Sequence, residues 1–161
     1  DLDKAVELLT RALELTQSIG DLHGVCAALG NLGMLYADQD QVETAFEYFQ
    51  QALNLARQIG SRQSECLHLS NLGAAYSRMK LNDQAMTIYQ ESLALAQQIG
   101  YRQGEALAQW NLARLFASIG DAAKARELAE AALSTFTQIN DSKAAIVAQW
   151  LAEVSSENPA R

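Results

Sequence analysis

The sequence contains few residues that interrupt helices and few that attract anions. Its single proline, Pro159, lies near the end of 161 residues, so helices can run uninterrupted along nearly the whole chain. Twelve lysines and arginines stand against 19 aspartates and glutamates, which gives a net charge of −7. An acidic chain repels the phosphates of nucleic acids and of anionic membranes. We therefore expect neither as a partner.

Other absences narrow the function and the compartment. Two cysteines are too few for a disulfide framework, which favours a reducing, cytoplasmic environment. No apolar run approaches the roughly 18 residues of a membrane span, and no basic and apolar leader follows Asp1. Neither a strand followed by a glycine-rich phosphate loop nor a nucleophile motif is visible. The sequence therefore supports neither an enzyme nor a cofactor site.

What the sequence does contain is an internal repeat with a period of 40 residues. Asn-Leu-Gly occurs at 31–33 and again at 71–73, and Ile-Gly occurs at 19–20, 59–60 and 99–100. Aligning 21–60 with 61–100 gives fourteen identities. Self-similarity at a fixed period of this size is typical of stacked supersecondary units.

Each unit is interpreted as two helices, because apolar residues recur at helical spacing on both sides of a polar break. No stretch alternates with period two, so no strand is expected. Gly20, Gly60, Gly100 and Asn140 are suited to end the second helices in a left-handed conformation. Asp40 and Glu43 have the spacing of a capping box for the helix that follows. The eight predicted helices are 3–19, 22–38, 41–59, 62–79, 82–99, 102–118, 121–138 and 142–155.

The pattern resembles the tetratricopeptide repeat. The first full unit has all six positions of that motif in register: Leu32, Gly33, Tyr36, Ala45, Phe49 and Ala52. Equivalent residues recur 40 and 80 positions later with few departures, among them Ser92, Ala113 and Ala129. The period of 40 and the missing proline stop resemble the longer-helix subclass of Pins-type adaptors and bacterial regulators.

The resemblance implies an all-α fold, a right-handed superhelix or α-solenoid of stacked antiparallel helix pairs. We interpret 1–161 as a single repeat domain. Its parts are a half-unit 1–20, three units 21–60, 61–100 and 101–140, a capping helix 141–155 and a tail 156–161. Small residues at Gly33 and Ala45 would let the two helices of a pair approach closely.

A column of asparagines is the strongest functional signal. Asn31, Asn71 and Asn111 recur in the middle of the first helices, where asparagine is a mediocre helix former. A side-chain amide can bond both the N–H and the C=O of an extended peptide. The resemblance implies the same role, since the first helices line the concave groove in this family. The alternative is that these amides brace a turn or cap a neighbouring helix.

Other residues on the same helix faces complete the predicted groove. Met34, Leu67 and Leu107 would give it an apolar floor, and Arg78 and Arg114 would make it locally basic, which favours a ligand with a hydrophobic residue and some acidic character. Trp110 is either a binding anchor or packed under the final helix. The predicted site therefore consists of Asn31, Met34, Leu67, Asn71, Arg78, Leu107, Trp110, Asn111 and Arg114.

We thus expect a protein–protein interaction module that binds a peptide or protein segment, as an adaptor or as the sensing part of a larger regulator. The alternative is a structural module that self-associates or packs within its own polypeptide. The apolar run Ala144–Ala148 in the last helix motivates this alternative and a possible homo-oligomer. His23, Cys26, Cys66 and His68 invite a metal site, but their spacing does not support one. We expect Cys26 and Cys66 to be core residues without a disulfide.

Overall fold

The computed structural model describes residues 2–157, and every regular element within this range is an α-helix. The helices are α1 Leu2–Ser18, α2 Leu22–Asp38, α3 Val42–Gln58, α4 Arg62–Arg78, α5 Asn82–Gln98, α6 Arg102–Ser118, α7 Ala122–Gln138 and α8 Lys143–Glu157. The predicted helices agree with these bounds to within two residues. The predicted all-α helical-repeat class is therefore confirmed. Of the predicted tail, 156–157 belong to α8, and 158–161 lie outside the described residues.

A left-handed residue falls every 20 positions, in each turn between two helices. These residues are Gly20, Asp40, Gly60, Lys80, Gly100, Gly120 and Asn140, with φ between 54° and 90°. The first turn shows the bonding: the amide of Asp21 donates to the carbonyl of Thr16 at 2.9 Å, and that of Gly20 to Gln17 at 3.2 Å. This is the Schellman pattern, which satisfies carbonyls at the end of a helix. The predicted glycine and Asn140 stops are confirmed.

The capping box predicted at Asp40 is wrong. Asp40 has a φ of 62° and ends α2, while the N-cap of α3 is Gln41, which makes no side-chain cap hydrogen bond. The connecting turn is so short that the left-handed position falls on Asp40 itself. Asp21 and Asp121 do act as N-caps, since each side chain accepts from the backbone N–H three residues later at 2.9 and 3.0 Å.

The chain divides into two compact units, residues 1–88 and 89–161. In the first unit α1 packs on α2, α2 on α3 and α3 on α4. Gly33 lies against α3, where a Cβ would come within 2.6 Å of the Phe49 ring and 3.2 Å of the Ala45 carbonyl oxygen. The predicted close approach at Gly33 is thus confirmed, and this pair positions the candidate site.

In the second unit α6 packs on α7, and α7 packs on α8. One cluster of its core contains Ala106, Trp110, Ala113, Ala129, Ala132, Phe136 and Val147. Four of these seven residues are alanines, which let helix axes come close together. Phe136 is fully buried and supplies much of the volume.

Candidate binding site

A pocket of about 140 Å³ opens between α2 and α4 in the first unit, with α3 forming part of its wall. Most of the side chains around it are apolar, and three are polar. The lining residues are Met34, Ala37, Asp38, Val42, Phe49, Asn71, Ala74, Ala75 and Arg78. Three of the nine predicted site residues, Met34, Asn71 and Arg78, thus share one pocket.

Asn71 is a polar residue of the pocket whose side-chain amide has an unbonded donor. It lies in the middle of α4 and is half-buried, and its Nδ2 has no hydrogen-bond partner within residues 2–157. Leaving a buried amide donor unbonded costs about 1–3 kcal/mol. The bracing alternative requires a bonded amide, and no bond from this Nδ2 is present among the described residues.

Arg78 also borders the pocket, but its guanidinium is already engaged. One nitrogen contacts the Asp40 carboxylate at 2.9 Å, and another donates to the Ala37 carbonyl in the last turn of α2. The cation therefore compensates the partial negative charge at the C-terminal end of α2. Asp38 lines the same pocket, so the expected basic character does not arise here.

The remaining predicted residues of the first unit lie outside this pocket. Asn31 is exposed on α2, and Leu67 on α4 is 41% exposed. Met34, which does line the pocket, is 51% exposed. Large apolar side chains with this much exposure are available to a ligand without rearrangement.

In the second unit the predicted residues divide into two groups. Asn111 is half-buried and Arg114 is exposed on α6. Leu107 and Trp110 instead belong to the core, where Trp110 is 8% exposed and meets the Trp150 ring edge-on at 5.3 Å between centroids. The structure thus adopts the packing alternative for Trp110, because α8 covers the face that would otherwise be open.

Two features of the site were not predicted from sequence. Val42 and Phe49 on α3 form a wall of the pocket, although the sequence pattern identified Phe49 only as a position of the repeat motif. The sequence carried no separate signal that these two side chains border a pocket. Arg78 pairing with Asp40 was also missed, since the two residues are 38 positions apart.

Of the two histidines and two cysteines, Cys26 and His68 pack against each other. Cys26 Sγ lies 3.3 Å from Nε2 of His68, and both side chains are buried. His23 is exposed, and Cys26 and Cys66 are both free thiols. Burial raises the pKa of Cys26 and raises that of Cys66 to about 11. No group of three or more potential ligands forms within the described part of the chain.

The fold places the chain among α-helical repeat scaffolds. A family model described as tetratricopeptide repeat matches residues 1–58 and 64–138. The chain therefore belongs to the tetratricopeptide repeat family, whose fold is a non-catalytic scaffold for protein interactions. No helix in residues 2–157 is long and apolar enough to span a bilayer.

Solved structures support the fold at low sequence identity. BtubC from P. vanneervenii is 18% identical with a TM-score of 0.82, covering 99% of this chain and 67% of its own. A Rap protein complexed with Competence and Sporulation Factor is also 18% identical, with a TM-score of 0.88 over 98% of this chain. A structure described as kinesin light chain TPR-like repeats from Podosopora anserina is 19% identical in sequence, with a TM-score of 0.68. The match covers 98% of this chain and 79% of that one.

The chain spans 44% of the length of that Rap protein. No curated protein matches the sequence. These likenesses establish the architecture and leave the ligand to be argued from the residues of the site.

Proposed function

We propose that this module binds an extended peptide segment of a protein partner across α2 and α4. The observation that carries the proposal is a largely apolar pocket with an amide, that of Asn71, whose Nδ2 is unbonded. Rotation about its terminal torsion presents either end of that amide to a ligand. Asn71 then bonds the peptide backbone while the pocket takes one side chain.

The repeat geometry supports a second contact from Asn31. Neighbouring helices in a stack lie roughly 8–10 Å apart, and an extended peptide rises roughly 3.3 Å per residue. Asparagines at equivalent positions of α2 and α4 would therefore meet about every third residue of the peptide. Asn111 holds the same repeat position in the second unit.

The family and the neighbours support a role in a larger regulatory system. The Rap protein of the same fold is described in complex with a factor, and the present chain spans only part of it. We propose an adaptor or sensing role, within the 40-residue-period subclass and in a reducing, cytoplasmic compartment.

The test uses a phage-displayed library of random heptapeptides selected against the immobilised chain. We expect peptides that bind the wild type and lose about tenfold in affinity with Asn71→Ala, because a backbone hydrogen bond is removed. The matched control is Asn54→Ala on the exposed face of α3. Peptides that bind all three proteins equally would contradict the proposal, and melting temperatures would show that the variants are folded.

A second candidate function is self-association, and a specific observation favours it. Leu8 and Leu15 on α1 and Ile19 in the turn after it are 58–68% exposed, and Ile146 on α8 is 59% exposed. Exposed aliphatic residues in a row are typical of contact surfaces. This candidate is compatible with peptide binding, because the pocket residues lie on α2, α3 and α4.

A further inference from the structure

The mouth of the pocket carries an acidic residue in an unfavourable place for helix stability. Asp38 is exposed and is the last residue of α2. A negative charge there opposes the helix dipole, at a cost of about 0.3–1 kcal/mol. The equivalent residue of α4 is Arg78, which suits a helix C-terminus. Asp38 therefore does not stabilise α2, and it lies at the pocket, where a ligand would contact it.

The other charges at the mouth do not neutralise Asp38. Arg78 is held by the Asp40 carboxylate and the Ala37 carbonyl, and Asp40 itself is 86% exposed. Lys80 lies in the turn after α4 and is not a lining residue. The two carboxylates and one guanidinium leave a net negative charge beside the apolar cavity.

The size of the cavity fits one aliphatic side chain. A cavity of roughly 150 Å³ lined by apolar residues holds benzene, so about 140 Å³ accommodates a group the size of leucine or methionine. Met34 and Phe49 are apolar walls of this cavity, and Asn71 lines it as well.

We infer that the ligand presents an aliphatic residue next to a lysine or arginine, with the aliphatic side chain in the pocket and the cation on Asp38. This inference rests on the proposed peptide-binding function and specifies its ligand. An acidic neighbour would face Asp38 and Asp40 and would have to draw Arg78 away from its two partners. The structure thus reverses the acidic preference expected from the sequence.

The experiment uses four heptapeptide phage pools that differ at two adjacent fixed positions: Leu-Lys, Leu-Glu, Leu-Gln and Ser-Lys. We expect the wild type to enrich the Leu-Lys pool about tenfold over the Leu-Glu pool. Asp38→Lys should reverse that order. Glu47→Lys, the same charge change on an exposed residue of α3 outside the pocket, should preserve it.

The outcomes separate this inference from the function on which it rests. Equal enrichment of Leu-Lys and Leu-Glu, or a preference for Leu-Glu, overturns the basic-neighbour inference while Asn71-dependent binding still stands. Equal enrichment of Ser-Lys and Leu-Lys overturns the aliphatic part. If no pool shows Asn71-dependent binding, the proposed function fails as well. Asp38→Lys places a cation at a helix C-terminus, so loss of folding is not expected.

Discussion

Among individual residues, His68 is a buried histidine at a close contact between two helices. It is 3% exposed on α4, and Nε2 lies 3.3 Å from Cys26 Sγ on α2. A Cβ at Gly30 would approach the ring to 2.6 Å, so the missing side chain makes room for the imidazole. Burial lowers the pKa of His68 to about 4. The ring is therefore neutral in the folded state at neutral pH.

His68 should make stability depend on pH below neutrality. Its pKa is lower in the folded state than the ordinary 6.5, so the unfolded chain binds more protons between these values. The contribution of neutral His68 to the free energy of unfolding is complete above about pH 6.5. It is lost as the pH falls toward 4, for a total of about 3 kcal/mol. We expect His68→Leu to flatten the curve of unfolding free energy against pH in this window.

The matched control for this prediction is His23→Gln, because His23 is exposed on α2. Urea unfolding at several pH values between 4 and 7 measures how steeply the free energy of unfolding changes with pH in the wild type and in both variants. If the His68→Leu protein keeps the wild-type slope, the buried histidine does not titrate as argued.

The sequence predicted that the two cysteines are buried, but it did not predict that His68 contacts Cys26. Cys26 and Cys66 recur on the core side of the helices, and they are 2% and 1% exposed. The contact between Cys26 and His68 joins two helices across 42 positions. Only the packing of α2 against α4 brings them together. Sequence spacing alone pairs His68 with Cys66 instead of Cys26.

At the scale of the helix, the turns combine a predictable rule with exceptions. Glycine or asparagine marks the left-handed position in five of the seven turns, whereas Asp40 and Lys80 occupy the other two. A side chain in this conformation costs roughly 1–2 kcal/mol. The Schellman bonds from Gln41 to Tyr36 and from Leu81 to Tyr76 form despite that cost. The short connection between the helices dictates the left-handed conformation at these two positions. Residue type therefore could not predict it at Asp40 and Lys80.

The N-caps give a prediction for single helices. Asp21 accepts a hydrogen bond from the Gly24 amide at 2.9 Å and caps α2, whereas Gln41 makes no such bond at the start of α3. We expect Asp21→Ala to lower the free energy of unfolding by about 1 kcal/mol. Gln41→Ala is the matched control and should leave it nearly unchanged. Equal losses in chemical denaturation would show that the cap bond does not stabilise α2.

Helices α1 and α3 occupy the same place in the repeat, but their equivalent side chains differ in exposure. Ala12 is exposed, whereas Ala52 at the same repeat position is completely buried. Leu9 is partly exposed, whereas its counterpart Phe49 is 3% exposed. In α3 these positions are covered by the preceding α2. The repeat frame predicted this half-unit, and the structure shows the apolar face that results.

At the scale of the whole molecule, the period determined most of what could be predicted. Residues repeated every 40 positions give the helix bounds, the tight contact at Gly33 and the positions of the asparagines. The sign of the charge at the pocket could not be predicted in the same way. It depends on Arg78 meeting Asp40 across two units of the repeat, which a count of basic residues on one helix face does not reveal.

The exposed face of α1 leads to a prediction for the 161 residues as a whole. Leu8 and Leu15 on α1, together with Ile19 directly after it, remain more than half exposed, so burying them against a second copy would release free energy. We expect the weight-average mass in sedimentation equilibrium to rise above 17.5 kDa with increasing concentration. Leu15→Lys should hold it near that value, whereas Ile119→Lys, at an exposed residue in the turn after α6, should not. A wild type that stays at 17.5 kDa throughout would eliminate self-association and leave peptide binding as the function to pursue.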